Sequence, residues 1–134
     1  MKRLLVTLIL TTVAVLAADA PADVYLKYHK TVLSADDPAA LLPYLSTGGR
    51  QKLAGMPSEQ RVQVLGLMKA LAARNVKVVK TQIDEDKAML YLQGLTKNLL
   101  NDRDETSYGR VEMVREAGVW KVDGEHWGSD NKPP

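Results

Sequence analysis

The side chains best suited to chemistry lie near the two ends of the chain. Tyr25, Tyr28 and His29 form one group. A histidine beside two tyrosines could bind a polar ligand or act as a base, because imidazole titrates near neutrality. The same trio also reads as core: a buried histidine satisfied by a hydroxyl or backbone carbonyl, with the tyrosines supplying ring surface. Trp120 and Trp127 form a second group that could line a pocket mouth; Trp120 equally suits a core position, and Trp127, near the end of the ordered chain, a surface one. Glu125-His126 offers a metal two ligands, too few for a closed zinc site. The acidic runs Asp84-Glu85-Asp86 and Asp102-Arg103-Asp104-Glu105 lack the glycine and distant glutamate of a calcium loop, and read as solvated turns. Ser129-Asp130-Asn131-Lys132 spells two lactamase-type signatures, S-D-N and S-x-x-K, in one polar tetrapeptide, whereas that chemistry needs separate rigid elements. Phosphate-loop, dinucleotide, G-x-S-x-G and H-E-x-x-H motifs are absent. No metal and no cofactor is expected.

These groups need a scaffold, and the composition bounds it. The chain has 134 residues, enough for one domain, and no cysteine. Disulfide frameworks, lipid-anchored cysteines, thiolate zinc sites and cysteine nucleophiles are thereby excluded. Lys2 and Arg3 precede an uncharged stretch from Leu4 to Ala18, with Asp19 the next charge. A basic start, a short apolar middle and small residues at its end make a secretory signal. The stretch is shorter than the ~20 apolar residues that span a bilayer. Cleavage is expected after Ala17, or as late as Ala20, where Pro21 would resist the peptidase. Removing residues 1–17 leaves 16 basic and 16 acidic residues. A neutral mature chain has no reason to attract nucleic acid or anionic lipid. It is expected in the periplasm or outside a bacterial cell, without a stable membrane anchor.

The hydrophobic pattern supplies the elements. Val24–Leu33 reads as an amphipathic helix, with Val24, Tyr25, Leu26, Tyr28, Val32 and Leu33 on one broad face and His29 within that arc. A short second helix is expected from Pro38, with Asp37 as its cap and Leu41, Leu42 and Leu45 inward, ended or kinked by Pro43. Gly48-Gly49 marks a break, and Arg50–Leu53 can add a turn. A third helix, 58–73, opens on Ser58 as its capping residue and carries a stripe of Val64, Leu67, Met68 and Leu71. The period then changes to two. Strands are expected at Val76–Ile83, around Ala88-Leu90-Leu92, at Tyr108–Glu116, and from Trp120 and Val122, fading near Trp127; a polar connection of about ten residues separates the middle pair. Short turns between neighbours require an antiparallel sheet, so the fold class is α+β. The domain is expected over residues 21–127, with 128–134 a flexible tail.

The run Val111-x-Met113-Val114-Arg115-Glu116-x-Gly118-x-Trp120-Lys121-Val122-Asp123 resembles the last hairpin of nuclear transport factor two-like domains, and Asp86-x-Ala88-x-Leu90-x-Leu92 resembles the strand before it. The likeness covers roughly residues 22–127 and is nearest to small exported bacterial members of unassigned function. It implies N-terminal helices packed on a curved four-stranded antiparallel sheet, a cone often open at its wide end. It also implies a homodimer through the sheet as one assembly. Isomerase-like and dehydratase-like enzymes share the fold with binding and scaffolding domains, so the fold alone selects no function. The absence of Phe departs from the aromatic-lined cones of such domains.

Simple alternation gives the inner sheet face Ala88, Leu90, Leu92, Val111, Met113, Trp120 and Val122, with Glu112, Lys121 and Asp123 outside. An inner face with no ionisable group disfavours acid–base chemistry. The expected function is therefore an exported, non-catalytic module binding a small apolar or weakly polar ligand, or a protein partner. Tyr25, Tyr28, His29, Trp120 and Trp127 are its candidate contacts. The alternatives are a small isomerase- or dehydratase-like enzyme using His29, and a structural or inhibitory interaction domain acting through the outer sheet face.

Overall fold

A computed structural model describes residues 19–134; the expected leader falls in the preceding segment, outside the described residues. The first helix, α1 (Pro21–Ser34), starts with proline in its first turn, where a missing N–H costs nothing. It ends as the Ala35 N–H donates to Thr31 O at 2.8 Å. A 3-10 helix follows at Pro38–Tyr44, its start capped by Asp37, which accepts from the Ala39 N–H. Pro43 lies in its last turn, and only Leu41 of the three expected leucines is fully buried.

The structure departs from expectation at Gly48-Gly49, which lie inside a helix, α2 (Thr47–Ala54), rather than at a break. Two groups hold that helix start, one local and one from the sheet. Ser46 caps it, accepting from the Gly49 N–H at 3.2 Å, and both carboxylate oxygens of Glu116 accept from the Thr47 N–H at 3.1 Å. A carboxylate at a helix N-terminus favours its anionic form, and the Glu116 carboxyl is held below its usual range by these bonds, with Arg50 adding to the effect. The third helix, α3 (Ser58–Leu71), also differs. Pro57 occupies the cap position, and Leu65 is the buried residue, whereas Leu67 and Leu71 of the expected stripe are exposed. Leu26 and Leu33 of α1 are likewise exposed. Both helices pack along a narrower line than their apolar arcs, so hydropathy overstates the buried face.

Four strands, β1 (Arg74–Asp84), β2 (Lys87–Lys97), β3 (Asp104–Glu116) and β4 (Val119–Gly128), form one antiparallel sheet in sequence order. β2 and β3 are longer than the apolar pattern suggests, and the connection between them shrinks to six residues. Their outer ends pair through polar residues, Gly94 with Ser107 and Lys97 with Asp104, which carry no hydropathy signal. Ala117 and Gly118 both take positive φ (50° and 78°), the requirement of a tight two-residue hairpin. The core holds Val24, Tyr25, Tyr28 and Val32 of α1, with Leu41 and Leu65, against Ala88, Leu90, Leu92, Val111, Met113, Trp120 and Val122 of the sheet. The exposed edge of β4 is partly covered where Leu45 bridges to Val122 and the Ser46 N–H donates to Val122 O at 2.9 Å.

β4 is interrupted once. Met113 pairs with Val122 but Glu112 pairs with Gly124, so Asp123 is an extra residue. Such a bulge shifts the alternation by one position. Beyond it, Gly124 and His126 lie on the outer face opposite Glu112 and Arg110, and Glu125 and Trp127 turn inward opposite Val111 and Gly109. The end of the chain departs from the expected tail as well. A 3-10 turn, Ser129–Asn131, folds back after β4, with the Asn131 side chain donating to His126 O at 3.2 Å and the Lys132 ammonium over the Tyr108 ring.

Candidate functional site

The inner face of the sheet does carry an ionisable group, contrary to the alternation argument. Glu125 faces the interior because of the Asp123 bulge. Its Oε1 accepts from the Tyr25 hydroxyl at 2.5 Å and from the Trp127 indole N–H at 2.8 Å. Its Oε2 has no hydrogen-bond partner among the described residues, and Glu125 lines a cavity of about 380 Å³. That cavity lies between α1, the C-terminal turn of α3 and the end of β4. Tyr28, His29, Leu67, Met68 and Trp127 share its wall.

The side chains of α1 at and behind this wall have structural reasons for their places. Tyr25, Tyr28 and His29 come from the sheet-facing side of α1, with Tyr25 fully buried and Tyr28 nearly so. The Tyr25 ring is tilted against Tyr28 at 6.1 Å and stacked on His29 at 6.0 Å. Burial raises the Tyr25 phenol far above the usual tyrosine range, and the negative charge and hydrogen bond of Glu125 push it further; Tyr28 is raised by burial and then by Glu125. Both phenols are therefore held neutral beside the carboxylate. His29 Nε2 lies 3.0 Å from Ala73 O, so Nε2 carries the proton that the carbonyl accepts. This is the backbone-satisfied histidine of the core reading, and its ring still borders the cavity.

Trp127 owes its position to glycine. A Cβ at Gly109 would meet three atoms of the indole at 2.7 to 2.9 Å, and one at Gly94 would meet the ring at 3.4 Å and Ala73 at 2.9 Å. The indole thus rests on bare backbone across two strands. The expectation of a surface Trp127 is corrected accordingly. Trp120 does not join the site: it is buried in the core under the Arg115 guanidinium, 5.0 Å from its ring. Glu125 and His126 point to opposite faces of β4 and cannot share an ion. Asp123, expected outside, holds the bulge: its Oδ1 accepts from the Ser46 hydroxyl at 2.7 Å. Glu125, Gly109 and Ser46 escaped the sequence reading as parts of this arrangement. The one signal for them was glycine at 94 and 109 within strands, a mark of close approach.

Helices laid across a curved four-stranded antiparallel sheet, with a cavity at one end, define the nuclear transport factor two-like cone. The chain has that fold, as the hairpin resemblance implied. It is similar to a protein from Thiobacillus denitrificans provisionally named a calcium/calmodulin-dependent protein kinase type II association domain, at 12% identity and a TM-score of 0.58, over 83% of this chain and 95% of that one. A protein from Shewanella frigidimarina provisionally named a ketosteroid isomerase gives 16% identity and a TM-score of 0.56, over 82% and 96% of the two chains. A Campylobacter jejuni protein provisionally named a nuclear transport factor two-like transpeptidase gives 17% and 0.54, over 79% and 99%. No family model matches the sequence, and no curated protein matches it. At these identities the likeness is one of fold.

Proposed function

We propose that this chain is an exported module that binds a small ligand in the cavity between α1, α3 and β4. The observation that carries the reading is Glu125, a cavity-lining residue brought inside the cone, with one oxygen accepting two hydrogen bonds and the other without a partner among the described residues. A carboxylate at an apolar cavity is costly unless something uses it. Its two fixed donors orient it, and the surrounding apolar wall supplies the contact area typical of ligand pockets. Export rests on the leader-like start of the sequence.

Native mass spectrometry of the mature protein, purified from its own compartment, tests the reading. The expected result is an extra mass, lost on denaturation and absent from Ala72→Phe, which places a bulky ring at a position lining the cavity. A bare chain from that compartment, together with unchanged amide spectra across a small-molecule panel, would overturn it.

One observation favours a second reading, a small proton-transferring enzyme of the isomerase or dehydratase kind. The free Glu125 oxygen could take a proton, and the neutral Tyr28 phenol in the same wall could stabilise developing negative charge. His29 would then be a positioning residue, its Nε2 proton being engaged by Ala73 O. Turnover of a retained ligand by wild type but not by Glu125→Gln would select this reading over simple binding.

A further inference from the structure

We infer that the ligand of this cavity is a small organic amine, its ammonium on the free Glu125 oxygen and its apolar body against the α3 side of the wall. The inference rests on the ligand-binding reading above and assigns its chemical class. Among the cavity-lining residues there is no lysine or arginine, and among the described residues Glu125 has no ion-pair partner. The site thus presents one carboxylate with no lysine or arginine beside it. An anionic ligand would be repelled by it. A neutral alcohol could satisfy the hydrogen bond but would leave the charge unbalanced. An ammonium satisfies both, because charge-assisted hydrogen bonds are roughly twice as strong as neutral ones.

The rest of the wall fits the same class. Tyr28 and Trp127 supply aromatic surface beside the carboxylate, and a cation near an aromatic face gains further attraction. The Trp127 indole is held by its N–H bond to Glu125 Oε1 and by its seat on Gly109, so carboxylate and ring are fixed relative to one another. Leu67 and Met68 provide an apolar side for the carbon skeleton, and Leu67, more than half exposed, extends it to the rim. A volume of about 380 Å³ lies at the small end of ligand pockets, which limits the amine to one ring or a short chain.

Three probes with the same eight-carbon skeleton separate the classes: phenethylamine, phenylethanol and phenylacetate. Each is titrated into the purified mature protein by calorimetry, with the Trp127 indole N–H resonance reporting the location. The expected result is that phenethylamine binds about tenfold tighter than phenylethanol, roughly the worth of one charge-assisted contact, and that phenylacetate binds weakest. Glu125→Gln should bring the amine down to the affinity of the alcohol while far-UV circular dichroism is unchanged. If the alcohol or the carboxylate matches the amine on the wild-type protein, the amine class is overturned while the cavity remains a ligand site. If no probe moves the Trp127 resonance at millimolar concentration, the ligand-binding reading fails and takes the inference with it. The wild-type comparison stands without the variant, so a misfolded Glu125→Gln would not rescue the inference.

Discussion

The Tyr25 hydroxyl donates to Glu125 Oε1 at 2.5 Å across a hundred residues of sequence, joining the first helix to the last strand. The bond fixes the carboxylate and, with the indole of Trp127, leaves only one oxygen for a ligand. Tyr25→Phe removes that donor and keeps the ring. It should cost about 1.5–3 kcal/mol, the range for a hydrogen bond to a charged group. Urea denaturation at neutral pH measures it, and a change below about 0.5 kcal/mol would mean that the bond contributes nothing net.

Alkaline stability depends on the same pair of tyrosines. Tyr25 and Tyr28 keep their protons in the folded chain far beyond the ordinary tyrosine range. An unfolded tyrosine loses its proton near pH ~10. Below that pH both states are protonated and the stability is fully present. Above it the unfolded chain binds fewer protons, so stability falls as pH rises toward the folded pKa, by about 1.4 kcal/mol per pH unit for each tyrosine. Tyr25→Phe should remove one such increment from the slope of unfolding free energy above pH ~10. An identical slope in wild type and variant would contradict a raised Tyr25.

Gly109→Ala should displace Trp127. Its Cβ would lie 2.7 Å from an indole atom, so the ring must leave its seat on β3 and shift toward the cavity it lines. Overpacking of this kind costs about 1–3 kcal/mol. The Trp127 indole N–H resonance should shift with it, since the bond to Glu125 cannot survive in place. A variant with wild-type melting temperature and an unmoved resonance would show that the ring is not seated as described.

Ser46 links a helix cap to the bulge that turns Glu125 inward. It is buried, accepts from Gly49 N–H and donates to Asp123 Oδ1. Ser46→Ala should therefore cost about 0.5–2 kcal/mol, the range for a lost cap. Probe affinity should fall too, because the bulge loses its anchor. Lowered stability with unchanged affinity would separate the cap from the bulge.

His29→Ala deletes the bond to Ala73 O, leaving that carbonyl without its side-chain partner, and should cost about 1–3 kcal/mol. Thermal denaturation measures it. If stability is unchanged but a bound ligand is lost, His29 belongs to the ligand's recognition more than to the core.

Local pattern specifies the class of fold and most of the core. Alternation at Ala88-Leu90-Leu92 and Val111-x-Met113 survives because the two strands pair in unbroken register and face one helical layer, so local period and tertiary burial agree. The hairpin at Ala117-Gly118 was legible for the same reason: its geometry is local. The site was not. Alternation carried from Val122 puts Glu125 and Trp127 on the wrong face, because a bulge at Asp123 changes parity for every residue after it. What fixes that bulge is Ser46, 77 residues away, and no local pattern reports such a contact. The α3 stripe failed similarly, since hydropathy gives an arc while the packing against α1 and the 3-10 helix decides which part of it is covered. Periodic burial is written locally; the placement of one carboxylate against one phenol is a long-range event that only the assembled cone decides.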